Sequence, residues 1–181
     1  MIGLYPNREK HEQEGDGKMG TGIKQGYSGI QIALHWVIAL LVLFQLIFGE
    51  SMGEVGRAVA RGETPDPTDQ TLASAHYWVG IAVLALVALR ILMRLVQGAP
   101  EPVGAGLQLK AAKTIHGIFY LLLIVVPVTG LLAVYVNEEI GEVHEIGKPL
   151  FIAFIVLHAL GALFHHFKLK DDTLRRMFVP R

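Results

Sequence analysis

The sequence predicts an all-α protein, a transmembrane four-helix bundle with both termini cytoplasmic. Three observations predict it. Four nearly uncharged stretches are each long enough to cross a ~30 Å hydrocarbon layer as a helix. Their apolar residues fill the whole helix circumference instead of one stripe, unlike the helices of a water-soluble bundle. Lysine and arginine are concentrated in the segments that would share one face of the membrane.

The chain has 181 residues, of which 52% are apolar, and its 16 basic and 16 acidic residues cancel. A length of this kind suggests one domain, and a balanced charge gives no sign of a nucleic-acid partner. There is no cysteine, which excludes disulfides, thiolate-bound iron–sulfur clusters and CxxCH haem attachment.

Residues 1–29 are polar and glycine-rich, lack an apolar core or a small-residue cleavage site, and read as a mobile tail that includes His11. Residues 30–181 form the membrane domain. Its four spans are expected at about Ile30–Phe48, Ala75–Val96, Ile115–Val136 and Pro149–Phe167. In the connection between spans one and two, Pro65 and Pro67 mark an irregular loop. Gly147 and Pro149 interrupt the approach to span four, where proline removes a backbone hydrogen bond and predicts a kink. Trp36, Tyr77, Trp78 and Tyr135 lie toward span ends, where aromatic rings anchor at the membrane–water boundary. No internal repeat or low-complexity segment is evident.

Orientation follows from the charges. Thirteen of the 16 lysines and arginines fall before span one, at or between spans two and three, or after span four. Only Arg57, Arg61 and Lys148 fall in the other two connections, so those face outward. The outward connections also carry Glu50, Glu54, Glu63, Asp66, Asp69, Glu138, Glu139, Glu142 and Glu145.

Seven of the eight histidines lie in or beside the spans. A lone membrane histidine is as often a hydrogen-bonding partner between helices as a ligand; seven sorted by depth ask for more. On the outer side, span two begins with His76 and span four is approached through His144. In the inner half, His35 lies early in span one and His158 lies in span four, with His116, His165 and His166 nearer the inner boundary. His144 and His158 are fourteen positions apart. At ~100° per residue that is about 40° short of four turns, and at ~1.5 Å per residue about 21 Å along a continuous helix. One helix thus offers a ligand near each membrane face, with His35 as partner to His158 and His76 as partner to His144.

Paired imidazoles suit the two axial positions of a haem iron, whereas zinc usually takes three or four ligands at one depth. Two haems b are therefore expected. Gly80, Ala159, Gly161 and Ala162 either leave room for the macrocycles or serve ordinary close helix packing. Arg90 and Arg94, one turn apart at the inner end of span two, either pair with haem propionates through the guanidinium fork or snorkel to the interface.

The residues from Tyr27 onward resemble those of the bacterial cytochromes b561. The resemblance rests on Tyr27-Ser28, Gln31 and Leu34-His35-Trp36. It continues through His76, Gly80, Arg90 and Arg94, then His116, Tyr120, Pro127, Gly130 and Tyr135. It ends with Leu157-His158-Ala159, His165-His166, Lys170-Asp171, Thr173-Leu174, Arg176-Met177 and Pro180. It implies a bacterial inner-membrane four-helix bundle with two haems b on His35, His76, His144 and His158, exchanging electrons with ubiquinone or another quinone. One activity it implies is superoxide oxidation coupled to ubiquinone reduction, as in a superoxide:ubiquinone oxidoreductase. Nine acids against three bases on the outward connections would repel the superoxide anion, so a general electron-transfer role ranks first. A third reading is a membrane-anchor cytochrome subunit for a redox protein partner, a dehydrogenase or hydrogenase. His116, His165 and His166 are candidates for a proton relay at a quinone site, since imidazole titrates near neutral pH; interfacial location is the plainer account of each.

Overall fold

The computed structural model describes residues 26–100, 103, 104 and 106–180. Most of the expected tail, with His11, lies outside the described residues. Among those described, the regular structure is wholly helical: α1 Gly29–Phe48, α2 Glu50–Ala60, α3 Pro67–Gln97, α4 Leu107–Tyr135 and α5 Ile140–Phe164. A π-helical turn at His165–Leu169 and a 3-10 turn at Arg175–Met177 complete the chain's regular elements. Four helical stretches, Gly29–Ala60, Pro67–Gln97, Leu107–Tyr135 and Ile140–Leu169, are long and apolar enough to cross a membrane. The end of the bundle where α1 begins and α5 ends is here the terminal end, and the opposite end is the far end.

The terminal end is tied by polar groups at the helix boundaries. Ser28 and Gln31 form a reciprocal capping box at the start of α1, with Ser28 Oγ accepting from the Gln31 amide and Gln31 Oε1 accepting from the Ser28 amide. The same two side chains reach the end of α3. Ser28 Oγ donates to Gln97 Oε1 at 2.8 Å, and Gln31 Nε2 donates to the Gly98 carbonyl at 2.9 Å. Residues 26–28 therefore pack with the bundle. Beyond α5, Trp36 Nε1 donates to the Met177 carbonyl at 2.8 Å and its ring lies 5.1 Å from that of Phe178, which brings the C-terminal segment onto the first turns of α1.

Ile38 and Val42 of α1, Val83 and Val87 of α3, Leu122 of α4 and Phe151 of α5 form one buried cluster. In α5, Phe151 is midway between His144 and His158, so this apolar layer separates the two histidine levels. Outside it the usual pattern is inverted: Leu40 is 63% exposed, Leu95 77% and Phe167 70%. Such a continuous apolar exterior is the surface of a lipid-embedded protein.

Three expectations need correction. The connection after span one is not an irregular loop throughout, because residues 50–60 form α2, which packs on α3 and buries Ser51 and Ala58. An Arg57–Glu54 ion pair of 2.7 Å, three residues apart, supports it. Pro67 is no loop marker either. It opens α3 behind the Asp66 cap, a position where its missing N–H costs nothing. The fourth helix also begins before Pro149, so His144 lies within it. The proline forfeits a bond to the carbonyl of Glu145, an exposed residue near the far end of the helix, and α5 runs through it without a break.

Candidate functional site

Two histidine pairs occupy the two levels. Toward the terminal end, the rings of His35 in α1 and His158 in α5 have centroids 6.3 Å apart and planes at 59°. Toward the far end, His76 in α3 and His144 in α5 are 5.9 Å apart at 88°. Both pairs are half-buried, and each joins helices distant in sequence. The pairing is the one that depth alone suggested.

The far pair is held closely. His144 Nδ1 lies 2.7 Å from the carbonyl oxygen of Val126 in α4. A carbonyl can only accept, so Nδ1 carries the proton and Nε2 keeps a free lone pair. The ring reaches that carbonyl because residue 130 is glycine: a Cβ there would sit 2.9 Å from His144 Nδ1 and 3.0 Å from Cε1. Gly147 gives α5 the same access to α4, since a Cβ there would meet Val126 Cγ1 at 2.6 Å. On the other side, a Cβ at Gly49 would lie 3.2 Å from His76 Cε1. The hydroxyls of Tyr77 and Tyr135 share a hydrogen bond of 2.6 Å between α3 and α4 nearby.

At the terminal level, His116 from α4 stands 5.5 Å from His158, and Phe119 stands 5.4 Å from it. Arg90 donates to the Gln31 carbonyl at 2.8 Å. Arg90 and Arg94 line a small pocket with Tyr27, Gln31, Ala99 and Tyr120. Two guanidinium groups and two phenols in one recess suit an anionic group such as a carboxylate.

The other two histidines part company. His165 Nδ1 and Asp171 Oδ2 are 2.6 Å apart, and both side chains are largely buried. The pair is made locally: the π turn ends at Lys170 with φ 54°, and the chain doubles back so that the Asp171 amide donates to the His165 carbonyl. Burial alone would raise the Asp171 pKa, but hydrogen bonds from Thr173 and His165 outweigh it and hold the carboxyl below its usual range. His166 is exposed against Phe167. His116, His165 and His166 are thus not gathered into one cluster.

The donor arrangement fits a porphyrin iron. The two imidazoles of each pair would be the residues to hold a porphyrin iron, which would supply one-electron chemistry there. Among the described residues no group of three or more histidine, cysteine or acidic side chains is gathered to hold a compact metal ion. Glycines at 49, 130 and 147 let the rings of His76 and His144 and the helix α5 approach their neighbours closely at the far level.

One residue that counting along the sequence passed over is Gln45, whose Nε2 donates to the His76 carbonyl at 2.9 Å. The signal was present, as an amide side chain deep in an apolar span needs partners.

The family described as prokaryotic cytochrome b561 matches residues 26–180. A cytochrome b562 of Cereibacter sphaeroides is 40% identical over 157 residues, covering 86% of this chain and 97% of that one. A probable superoxide oxidase of Yersinia pestis, CybB, is 31% identical, again over 86% of this chain and 97% of its own. Cytochrome b561 homolog 1 of Escherichia coli is 28% identical with the same coverage. With four apolar helices, paired histidines and a family match over nearly its full length, the chain belongs to the prokaryotic cytochrome b561 family of membrane electron-transfer proteins.

Proposed function

We propose that this protein is a dihaem b-type cytochrome of the bacterial inner membrane that carries electrons between a donor and the membrane quinone pool, with both termini cytoplasmic. The observation that carries the reading is the pair of facing imidazoles at each of two levels on α5. His35 and His158 would hold one haem, and His76 and His144 the other. The bound haems supply reversible one-electron chemistry at iron. His144 is oriented for its part by the Val126 carbonyl, which leaves Nε2 to the metal. Arg90 and Arg94 would receive propionates in the pocket they line.

Quinone reduction also takes up protons. Among the three histidines near the terminal end, His165 is the best prepared to deliver one, because Asp171 fixes its ring through Nδ1 and leaves Nε2 to exchange. His116 stands against His158 and belongs to the haem level. A quinol added to the oxidised protein should reduce its haems, and His165→Ala should slow that reduction. Haem that never exchanges electrons with quinol refutes the quinone reading.

Superoxide oxidation is the second reading, favoured by the likeness to the Yersinia protein. The far end opposes it. Arg57 and Arg61 are paired with Glu54 and Glu63, and Lys148 with Glu50, so no positive funnel faces an incoming anion. Unchanged haem spectra during superoxide generation reject this second reading.

A further inference from the structure

Gln45 and His76 carry an unfinished hydrogen-bond network. Gln45 Nε2 donates to the His76 carbonyl at 2.9 Å, but Gln45 Oε1 is buried without a partner, and so is His76 Nδ1. Two orphaned polar atoms on adjoining residues in an apolar bundle are costly to both. They are also complementary. If Nε2 of His76 faces iron, its Nδ1 must carry a hydrogen and needs an acceptor, and the amide oxygen is an acceptor in need of a donor.

The packing sets the two residues side by side between α1 and α3. A Cβ on Gly49 would lie 3.3 Å from His76 Nδ1, so that edge of the ring faces α1 one turn beyond Gln45. A Cβ on Gly80 would lie 3.2 Å from Gln45 Nε2, so the amide reaches α3 within one turn of His76. The opposite ligand has the same requirement, met by the Val126 carbonyl. Metal-bound histidines generally donate their second N–H to a carbonyl, carboxylate or water, which fixes the ring and raises its basicity.

We propose that Gln45 is the positioning residue of His76: its Oε1 accepts the Nδ1–H while its Nε2 holds the His76 carbonyl, clamping ring and backbone together. This rests on His76 and His144 being the ligands of the far haem. A more basic imidazole favours ferric iron, so Gln45 lowers the potential of that haem.

The test is a redox titration of the purified, haem-loaded full chain, which resolves two one-electron components. Gln45→Leu should raise the midpoint of one component by about 59 mV, a tenfold change in a one-electron equilibrium, and leave the other unmoved. Gln45→Glu keeps an acceptor oxygen but lacks the amide donor, and should leave that component at or below its original value. Leu and Glu variants that shift it upward together, or that shift nothing, overturn the proposal. Should Gln45→Leu shed a haem, retention of that haem in Gln45→Glu supports the proposal and its loss there overturns it. A His76→Ala variant that keeps both haems would sink the ligand assignment itself, independently of Gln45.

Discussion

Replacing Gly130 with alanine tests how the far histidine pair is built. The new Cβ would stand 2.9 Å from His144 Nδ1 and 3.0 Å from Cε1, against ~3.5–4.0 Å for comfortable contact. The shortfall is therefore roughly half an ångström or more, about the tolerance within which a ligand constellation must be held. The helices meet tightly here, since a Cβ at Gly147 would already collide with Val126. The imidazole must therefore swing, stretching its 2.7 Å bond to the Val126 carbonyl. Loss of such an outer-shell bond typically costs 10–100-fold in metal affinity, or about 1.4–2.7 kcal/mol. Haem titration of the apoprotein should show one site weakened to that extent and the other unchanged. Gly56→Ala in α2, where a Cβ meets nothing within 4 Å, is the control. Two sites of unaltered affinity in Gly130→Ala would refute the reasoning.

Two further outcomes rest on charge. Asp171 has its carboxyl pKa depressed in the folded chain. Its contribution to the C-terminal turn is thus present above the ordinary aspartate value and lost as pH falls through the lower, folded one. Hydrogen exchange across 171–178, corrected for intrinsic rate, should quicken on acidification below about pH 4; Asp171→Asn should be loosened already at neutral pH and lose that dependence. At the far end, nine acids against three paired bases predict that a cationic one-electron donor reduces the protein faster than an anionic one of equal driving force at low salt. Raising the ionic strength should close the gap, and equal rates at low salt would show that the acidic loops do not steer.

The four crossings were legible because lipid asks only for continuous apolarity, and Ile30–Phe48 or Ile115–Val136 supply it without reference to any neighbour. Helix α2 was not. Its sequence is short and mixed, and its seat depends on packing against α3. Pro67 is ambiguous for a related reason, since proline suits a loop and a helix start alike, and only the helix packed behind it decides between them. The histidine levels could be counted from residue depth, and α5 carries a histidine at each. Lateral packing lay beyond reach: that Gly130 admits His144 to the Val126 carbonyl, or that the chain turns at Lys170 to bring Asp171 back onto His165. Such contacts depend on helix rotation and on one left-handed residue, neither of which a one-dimensional pattern encodes.

Haem counting on the purified wild type and on four single alanine variants, at His35, His76, His144 and His158, tests the central claim most directly. The account predicts two haems b per chain in the wild type and the loss of at least one in every variant. It also predicts that His35 and His158 remove one spectral component, and His76 and His144 the other. A wild type with one haem or none, or an alanine at any of the four positions that leaves both haems in place, would contradict it.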